Sequence, residues 1–177
     1  MKKLSTKQLV LSGFFVALGI FMPFLTAQIP SAGSRILPMH IPVLLCGFIC
    51  GWPFGLLVGF ILPVFRSMLF GMPPMFPTAV AMSFELAAYG FLTGFLYELF
   101  PKKNVFILAS LILAMLGGRI VWGAVSFLLY GLSKTAFTWE IFIAEAFVNA
   151  VPGIIIQVIL IPIIVGALIK AKFITPR

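Results

Sequence analysis

Five ionisable residues lie inside or beside long apolar segments of this 177-residue chain: Arg66, Glu85, Arg119, Glu140 and Glu145. A charge at the depth of a membrane interior costs about 2.5–3.5 kcal/mol on insertion scales, so such groups need a partner or a wet cavity. Two kinds of chemistry are therefore open. Arginine and glutamate can pair and hold helices together, or they can line a pocket that binds a polar ligand.

Counting residues along the segments places four of these groups in the same half of a bundle. Glu85, Arg66 and Glu145 lie roughly 8–10 Å below the outer ends of their segments, at 1.5 Å per helical residue. Arg119 lies deeper, roughly 20 Å from the outer end of its segment. The sequence therefore predicts that polar groups from several helices converge in the outer half, which favours a ligand pocket over purely structural pairs.

Polar and aromatic neighbours extend this candidate site. Trp122 and Ser126 follow Arg119 by three and seven residues, so all three share one helix face. Asn149 follows Glu145 by four residues, and His40, which begins another segment, is equally suited to a helix cap or a ligand contact. The candidate ligand-binding residues are Arg119, Trp122, Asn149, Glu85, Arg66, His40, Glu145 and Ser126.

The composition determines which elements must position these residues. The chain is 62% hydrophobic and 9% charged, and its mean hydropathy is +1.21. Soluble domains contain about one quarter charged residues, and no soluble fold of this length could bury so much apolar surface. An all-α integral membrane protein is predicted. The net charge of +8 does not indicate a nucleic-acid partner, because the basic residues flank apolar segments.

Six apolar segments are predicted to form one membrane domain over residues 1–177. The second is short against the ~20 residues that a membrane span requires, so it must be tilted, buried in protein or extended by the preceding loop. Three prolines between Met72 and Pro77 predict a stiff non-helical loop. The segments cover residues 8–26, 40–51, 54–71, 78–100, 104–132 and 139–171.

The lysines predict the orientation of these segments. Seven of the eight flank segment ends that would all meet one side of the membrane: Lys2, Lys3, Lys7, Lys102, Lys103, Lys170 and Lys172. Basic residues near segment ends stay on the cytoplasmic side, so both termini are predicted to be cytoplasmic. The longer loops 27–39, 72–77 and 133–138 then lie outside, which favours a binding site that opens outward.

Several motifs of enzymes and pumps are absent from the sequence. It contains no phosphate-binding P-loop, no H-E-x-x-H, no G-x-S-x-G, and a single histidine, His40. A chain of this kind is expected to bind a ligand without catalysing a reaction, to need no cofactor or metal of its own, and to take its energy from a partner.

Small residues define faces where helices can approach closely. Gly13 and Ala17 form such a face on the first segment, and its partner could be a helix of this chain or of another protein. Gly55 and Gly59, like Gly90 and Gly94, are expected to serve packing within the chain.

Three stretches resemble the substrate-binding S components of energy-coupling factor (ECF) vitamin transporters. The first is Gly33-Ser-Arg-Ile-Leu-Pro-Met-His-Ile-Pro-Val-Leu-Leu-Cys-Gly47, followed by Gly51-Trp-Pro-Phe-Gly55. The third is Gly71-Met-Pro-Pro-Met-Phe-Pro77. The length and the plan of six segments are also similar over nearly the whole chain.

This resemblance implies a six-helix bundle in the plasma membrane of a prokaryote. Such proteins bind a water-soluble vitamin from outside and dock in the lipid bilayer onto a membrane T component with two ABC-type ATPases, which hydrolyse the ATP. The bundle is thought to topple to release its ligand. The family docks through Ala-x-x-x-Ala on the first helix, where this chain has Gly13 and Ala17. The family pocket lies between the first loop and the outer halves of helices four to six.

Two other functions and several ligands remain open. A small secondary transporter could couple proton movement to Glu85 and would work alone in liposomes. An intramembrane protease-like enzyme could use Glu85, Glu145, Asn149 and His40, but the single histidine disfavours it. Arginines favour an anion such as pantothenate, whereas tryptophan and methionine favour a flat ring, as in pyridoxine or the benzimidazole end of cobalamin. Pairing of the arginines with Glu85 and Glu145 would remove the case for an anion.

Overall fold

The computed structural model describes residues 5–26, 35–101, 104–132 and 137–173, and it contains no β-strand within those ranges. Short 3₁₀ or π turns, Met22–Thr26, Met75–Ala79 and Ala144–Val148, adjoin the α-helices. The helices are α1 (Thr6–Phe21), α2 (His40–Cys50), α3 (Trp52–Phe70), α4 (Val80–Leu99), α5 (Asn104–Leu132), α6 (Trp139–Ile143) and α7 (Val151–Lys170).

The all-helical membrane character predicted from composition is confirmed. Five segments are long and apolar enough to cross a membrane: Thr6–Leu25, Trp52–Phe70, Met75–Leu99, Val105–Leu132 and Trp139–Lys170. The sixth predicted segment is α2, with 11 residues, of which all but Ile49 are buried. Its short length is thus explained by burial in protein, one of the three possibilities that its sequence left open.

Glycines let α2, α3 and α4 approach one another backbone to backbone. A Cβ atom added to Gly55 would collide with the carbonyl of Gly90, and one added to Gly59 would collide with that of Leu86. Gly94 meets the backbone of Trp52 in the same way. The prediction that these glycines serve internal packing is confirmed, and their close approach forms the rigid centre of the bundle.

Prolines interrupt the first and last segments. The helix α1 ends at Phe21 and continues as a 3₁₀ turn, because Pro23 has no N–H to donate within a helix. The last predicted segment, residues 139–171, is one apolar span but not one regular α-helix. The π turn Ala144–Val148 and a bend at residues 149–150 separate α6 from α7, whose first turn contains Pro152.

The proline-rich stretch before α4 also differs from its prediction. Residues 72–74 are non-helical as expected, but Met75 already begins the π turn that ends at Ala79. Phe76 inside this turn has an extended backbone conformation. The turn joins the start of α4 directly, so the loop at this end is shorter than the predicted residues 72–77.

The first and last helices meet at one end of the bundle. The Lys7 ammonium donates to the Phe173 carbonyl at 3.0 Å, and Gln8 Nε2 donates to the Cys50 carbonyl at 2.7 Å. The start of α1 and the ends of α2 and α7 therefore meet at the same end. Four other lysines used to predict orientation lie outside the described residues: Lys2, Lys3, Lys102 and Lys103.

Candidate ligand-binding site

A buried ion pair lies at the centre of the bundle. Arg119 Nη1 on α5 donates to Glu85 Oε1 on α4 at 2.8 Å. The same oxygen is 3.5 Å from His40 Nε2 at the start of α2, but this contact does not have the geometry of a hydrogen bond. Glu85 and His40 are only 2% and 1% exposed. The structure thus brings three of the predicted site residues together from three helices.

Tyr89 completes one side of this group and was missed in the sequence. It follows Glu85 by one helical turn, and its ring centroid lies 5.3 Å from that of His40. Its side chain lies close to both Glu85 and Arg119. A Cβ added to Gly118 would collide with the Tyr89 ring, so that glycine leaves room for the side chain. The i, i+4 spacing from Glu85 was the available signal.

Gln157 on α7 is the second residue that sequence reasoning missed. One turn before it, Gly153 packs against the carbonyls of Arg35 and Ile36, just ahead of α2. Because α2 and α7 both run toward the same end, one further turn places Gln157 at the level of His40. Gln157 is 1% exposed. A polar side chain within an otherwise apolar segment is the same kind of signal that singled out the charged residues in the sequence.

His40, Glu85, Tyr89, Arg119 and Gln157 form what we call the polar layer. Several of its nitrogens are buried without a hydrogen-bond partner: His40 Nδ1 and Nε2, Arg119 Nη2 and Gln157 Nε2. Leaving a buried polar group unsatisfied costs about 1–3 kcal/mol. A polar ligand that accepts hydrogen bonds would recover that free energy. Ser126 Oγ, two turns further out on α5, is also buried and unpartnered.

Arg66 lies apart from the polar layer. Its Nη1 donates to the carbonyl of Ile20 at 3.1 Å, and its guanidinium lies 5.4 and 5.6 Å from the ring centroids of Phe24 and Phe70. It is 3% exposed. These contacts attach the C-terminal end of α1 to α3, so the structure does not bring all four predicted charges together. Ligand binding by Arg66 stays a prediction.

Glu145 and Asn149 lie toward the end of the bundle opposite Lys7 and Phe173. Asn149 Nδ2 donates to Glu145 Oε1 at 3.0 Å across the π turn, where Glu145 is exposed. Among the described residues, no three of His, Cys, Asp or Glu group as metal ligands would. The carboxylates that face this site have arginine or amide partners.

An apolar cavity of about 440 Å³, open on one side, lies beside α5, between that helix and α6. Three of its lining side chains, Ile120, Phe127 and Trp139, are more than half exposed. Gly123, one turn outward from Arg119, lines it, and Trp122 packs behind it against Phe137 and Phe142 at 5.7 and 6.2 Å between ring centroids. Its volume falls within the range of small-molecule sites. Its walls contain no charged side chain and are formed by Ile120, Gly123, Ala124, Phe127, Phe137, Thr138, Trp139 and Phe142.

The small-residue face of α1 has no partner within the described part of the chain. No atom lies within 4 Å of a Cβ added to Gly13, and Ala17 is exposed. On the opposite side of the helix, Gly19 is packed tightly against Leu62. We call the exposed side, with Leu9, Val10, Gly13, Phe14, Ala17 and Phe21, the α1 outer face.

Comparison with known protein families agrees with this architecture. The sequence profile of the ECF transporter, substrate-specific component family matches residues 7–173. The chain belongs to this family, and the resemblance seen in its sequence is confirmed. Proteins of this family are substrate-binding subunits of transporters rather than enzymes. Neither the curated proteins nor the solved structures gave a significant match.

Proposed function

We propose that this chain captures a water-soluble vitamin or vitamin precursor outside a prokaryotic cell and presents it for uptake. The observation that supports this most directly is the polar layer. Three helices, α2, α4 and α5, bring His40, Glu85 and Arg119 together, and α7 adds the buried Gln157; several nitrogens of these side chains lack partners. A membrane protein bears the cost of such groups where they have a function. The ligand would contact Arg119, with Trp122 and Asn149 bordering the site.

The proposed partners are a membrane T component and two ABC-type ATPases, which would hydrolyse ATP on behalf of this chain. The α1 outer face supports this assignment, because Gly13 and Ala17 leave a shallow surface onto which a neighbouring helix can pack closely. The sequence itself has no nucleotide-binding motif, so the energy for release must come from elsewhere.

The proposed topology is six crossings, counting α2, with both termini in the cytoplasm. The contact between Lys7 and the Phe173 carbonyl supports it, because it places both ends of the described chain at one end of the bundle. A Lys103→Cys variant should resist a membrane-impermeant thiol reagent added to intact cells and react after permeabilisation. Ready labelling from outside would show that the orientation is opposite to the proposed one.

Reconstitution tests the function itself. The protein purified in detergent should retain a small molecule that mass spectrometry identifies. In liposomes, uptake of that molecule should require the T component, both ATPases and ATP. Uptake by the chain alone under a proton gradient would instead establish the proton-coupled transporter. Chemical conversion of the bound molecule would establish an enzyme.

A further inference from the structure

The structure also restricts the charge of the ligand. Given that the polar layer binds the ligand, as the proposed function requires, we infer that the ligand is a small uncharged molecule with hydrogen-bond acceptors. Carbonyl, hydroxyl or ring-nitrogen groups would meet the protein, and carboxylates and phosphates would be excluded. The inference depends on the charges and donors around the site.

The polar layer is electrically balanced without a ligand. Glu85 and Arg119, 2.8 Å apart, contribute one negative and one positive charge. A ligand carboxylate placed here would compete with Glu85 for Arg119 and would bring two like charges into one buried site. A cationic ligand would meet the corresponding repulsion from Arg119. An uncharged ligand leaves the existing pair intact, so its binding does not require a second buried charge to be stabilised.

The apolar cavity leads to the same conclusion. None of its lining side chains is charged, and Thr138 supplies the one side-chain hydroxyl in its walls. An ionised group moved from water into such surroundings loses its hydration and gains no compensating partner. Whether the ligand occupies the polar layer, the cavity or both, an uncharged molecule is the one that both environments accept.

The other charged residues near the site do not supply a buried positive charge for an anionic ligand. Within the described ranges, Arg66 and Arg119 are the buried cations, and Arg66 is occupied by the Ile20 carbonyl and two aromatic rings. Glu140 and Glu145 are exposed at the outer end, where they add negative charge, and Arg35 is exposed ahead of α2. No buried cation among the described residues is left to neutralise an anion.

The unpartnered nitrogens determine the second part of the inference. Arg119 Nη2 and Gln157 Nε2 can only donate hydrogen bonds, and His40 donates through at least one ring nitrogen. A ligand that satisfies them must therefore present acceptors. Amide, hydroxyl and heteroaromatic nitrogen groups accept hydrogen bonds without a formal charge.

Matched pairs of probes test this inference on the wild-type protein in detergent. Titration calorimetry would compare pantothenol with pantothenate, nicotinamide with nicotinate, and pyridoxine with 4-pyridoxate. In each pair that binds, the member without the carboxylate should bind at least tenfold more tightly, and the co-purified molecule should be uncharged at neutral pH. A carboxylate that binds equally well, or a co-purified anion or cation, would overturn the inference while leaving the proposed function intact.

A different result would indicate failure of the proposed function. If no small molecule co-purifies, no probe binds and the complete transporter takes up none of them, the chain is not a binding subunit for this class of ligand. The inference about charge then falls together with it, because its premise is gone.

A variant in which the buried carboxylate is neutralised makes the test sharper. In Glu85→Gln, Arg119 loses its neutralising carboxylate while the side-chain shape is kept. The carboxylate member of a binding pair should then gain at least tenfold in affinity relative to its uncharged partner. Glu140→Gln, which changes an exposed carboxylate, should leave the ratio as in the wild type. An unchanged ratio in a normally melting Glu85→Gln variant would contradict the inference. If that variant does not fold, the wild-type ratios decide.

Discussion

Arg119 and Arg66 lie in similar sequence surroundings, each within a long apolar segment, and both are nearly buried, at 6% and 3% exposure. Their neighbours differ. Arg119 faces a carboxylate, a histidine and a tyrosine in the polar layer, whereas Arg66 faces a backbone carbonyl and two phenylalanine rings. The first arrangement leaves Nη2 without a partner, while the second uses the guanidinium to join two helices.

The difference shows that the groups around the guanidinium determine the role of an arginine in a membrane helix. Near Arg66, Pro23 interrupts the regular hydrogen bonding of α1, and the guanidinium supplies a donor to the Ile20 carbonyl nearby. Near Arg119, the opposing helix offers Glu85 and leaves unsatisfied donors around the pair. We therefore propose that Arg119 binds the ligand and that Arg66 holds α1, the helix that contains the proposed docking face.

The largest effect is expected from breaking the buried pair. Arg119→Met leaves Glu85 as an unpaired buried charge and should destabilise the protein by about 3–5 kcal/mol, measured by thermal or denaturant unfolding in detergent. Adding Glu85→Leu should recover most of that loss, because neither charge then remains. Additive losses in the double variant would show that the two residues do not act as a pair.

A large effect on uptake, without an effect on binding, is expected at the α1 outer face. Replacing both Gly13 and Ala17 with Trp should abolish uptake and assembly with the T component, because bulky side chains hold a partner helix away. Ligand affinity of the isolated chain should stay nearly unchanged. Gly166→Trp is a matched control, since a Cβ there also meets open space on a membrane helix. Equal loss of binding in the double variant would mean that this face packs internally.

Ligand affinity should separate the two arginines. Arg119→Ala removes a hydrogen bond from a charged donor, which is worth ~1.5–3 kcal/mol, so binding should weaken roughly ten- to a hundredfold by titration calorimetry. Arg66→Ala should change affinity by less than about threefold, a difference under ~0.7 kcal/mol. Each affinity is measured below the melting temperature of the variant concerned. Unchanged affinity in a folded Arg119→Ala variant would remove that residue from the site.

The smallest effect is expected from loosening the attachment of α1. Arg66→Met loses a hydrogen bond and contacts with two aromatic rings, and should lower stability by about 1–3 kcal/mol. Uptake by the complete transporter should fall more than ligand affinity does, because the docking helix is no longer held in place. Arg66→Lys, which keeps a cationic donor, should restore part of the uptake. If affinity and uptake fall in parallel, Arg66 belongs to the ligand-binding site.

Parts of the candidate site were predictable and others were not. Arg119, Glu85 and His40 were selected as charged or titratable residues in apolar segments, and the structure joins them. Tyr89 and Gln157 carry no charge at neutral pH, and neither was singled out from the apolar residues around it. The bend after Val148 was missed because Pro152 lies near the start of a strongly apolar run that, by hydropathy, continues the same span.

The membrane class, the helical content and the positions of most segments follow from the sequence alone. Its apolar excess cannot be buried in a soluble fold of this size, and helices satisfy the backbone hydrogen bonds that lipid cannot. The tertiary structure alone decides which polar groups meet. These helices are apolar on nearly every side, so hydrophobicity does not distinguish a face toward lipid from a face toward protein. Close packing of Gly55 against Gly90 sets α3 against α4, and Gly118 brings α5 close to Tyr89. With the helices so placed, Arg119 meets Glu85 and Arg66 meets Ile20, which are contacts between residues distant in sequence.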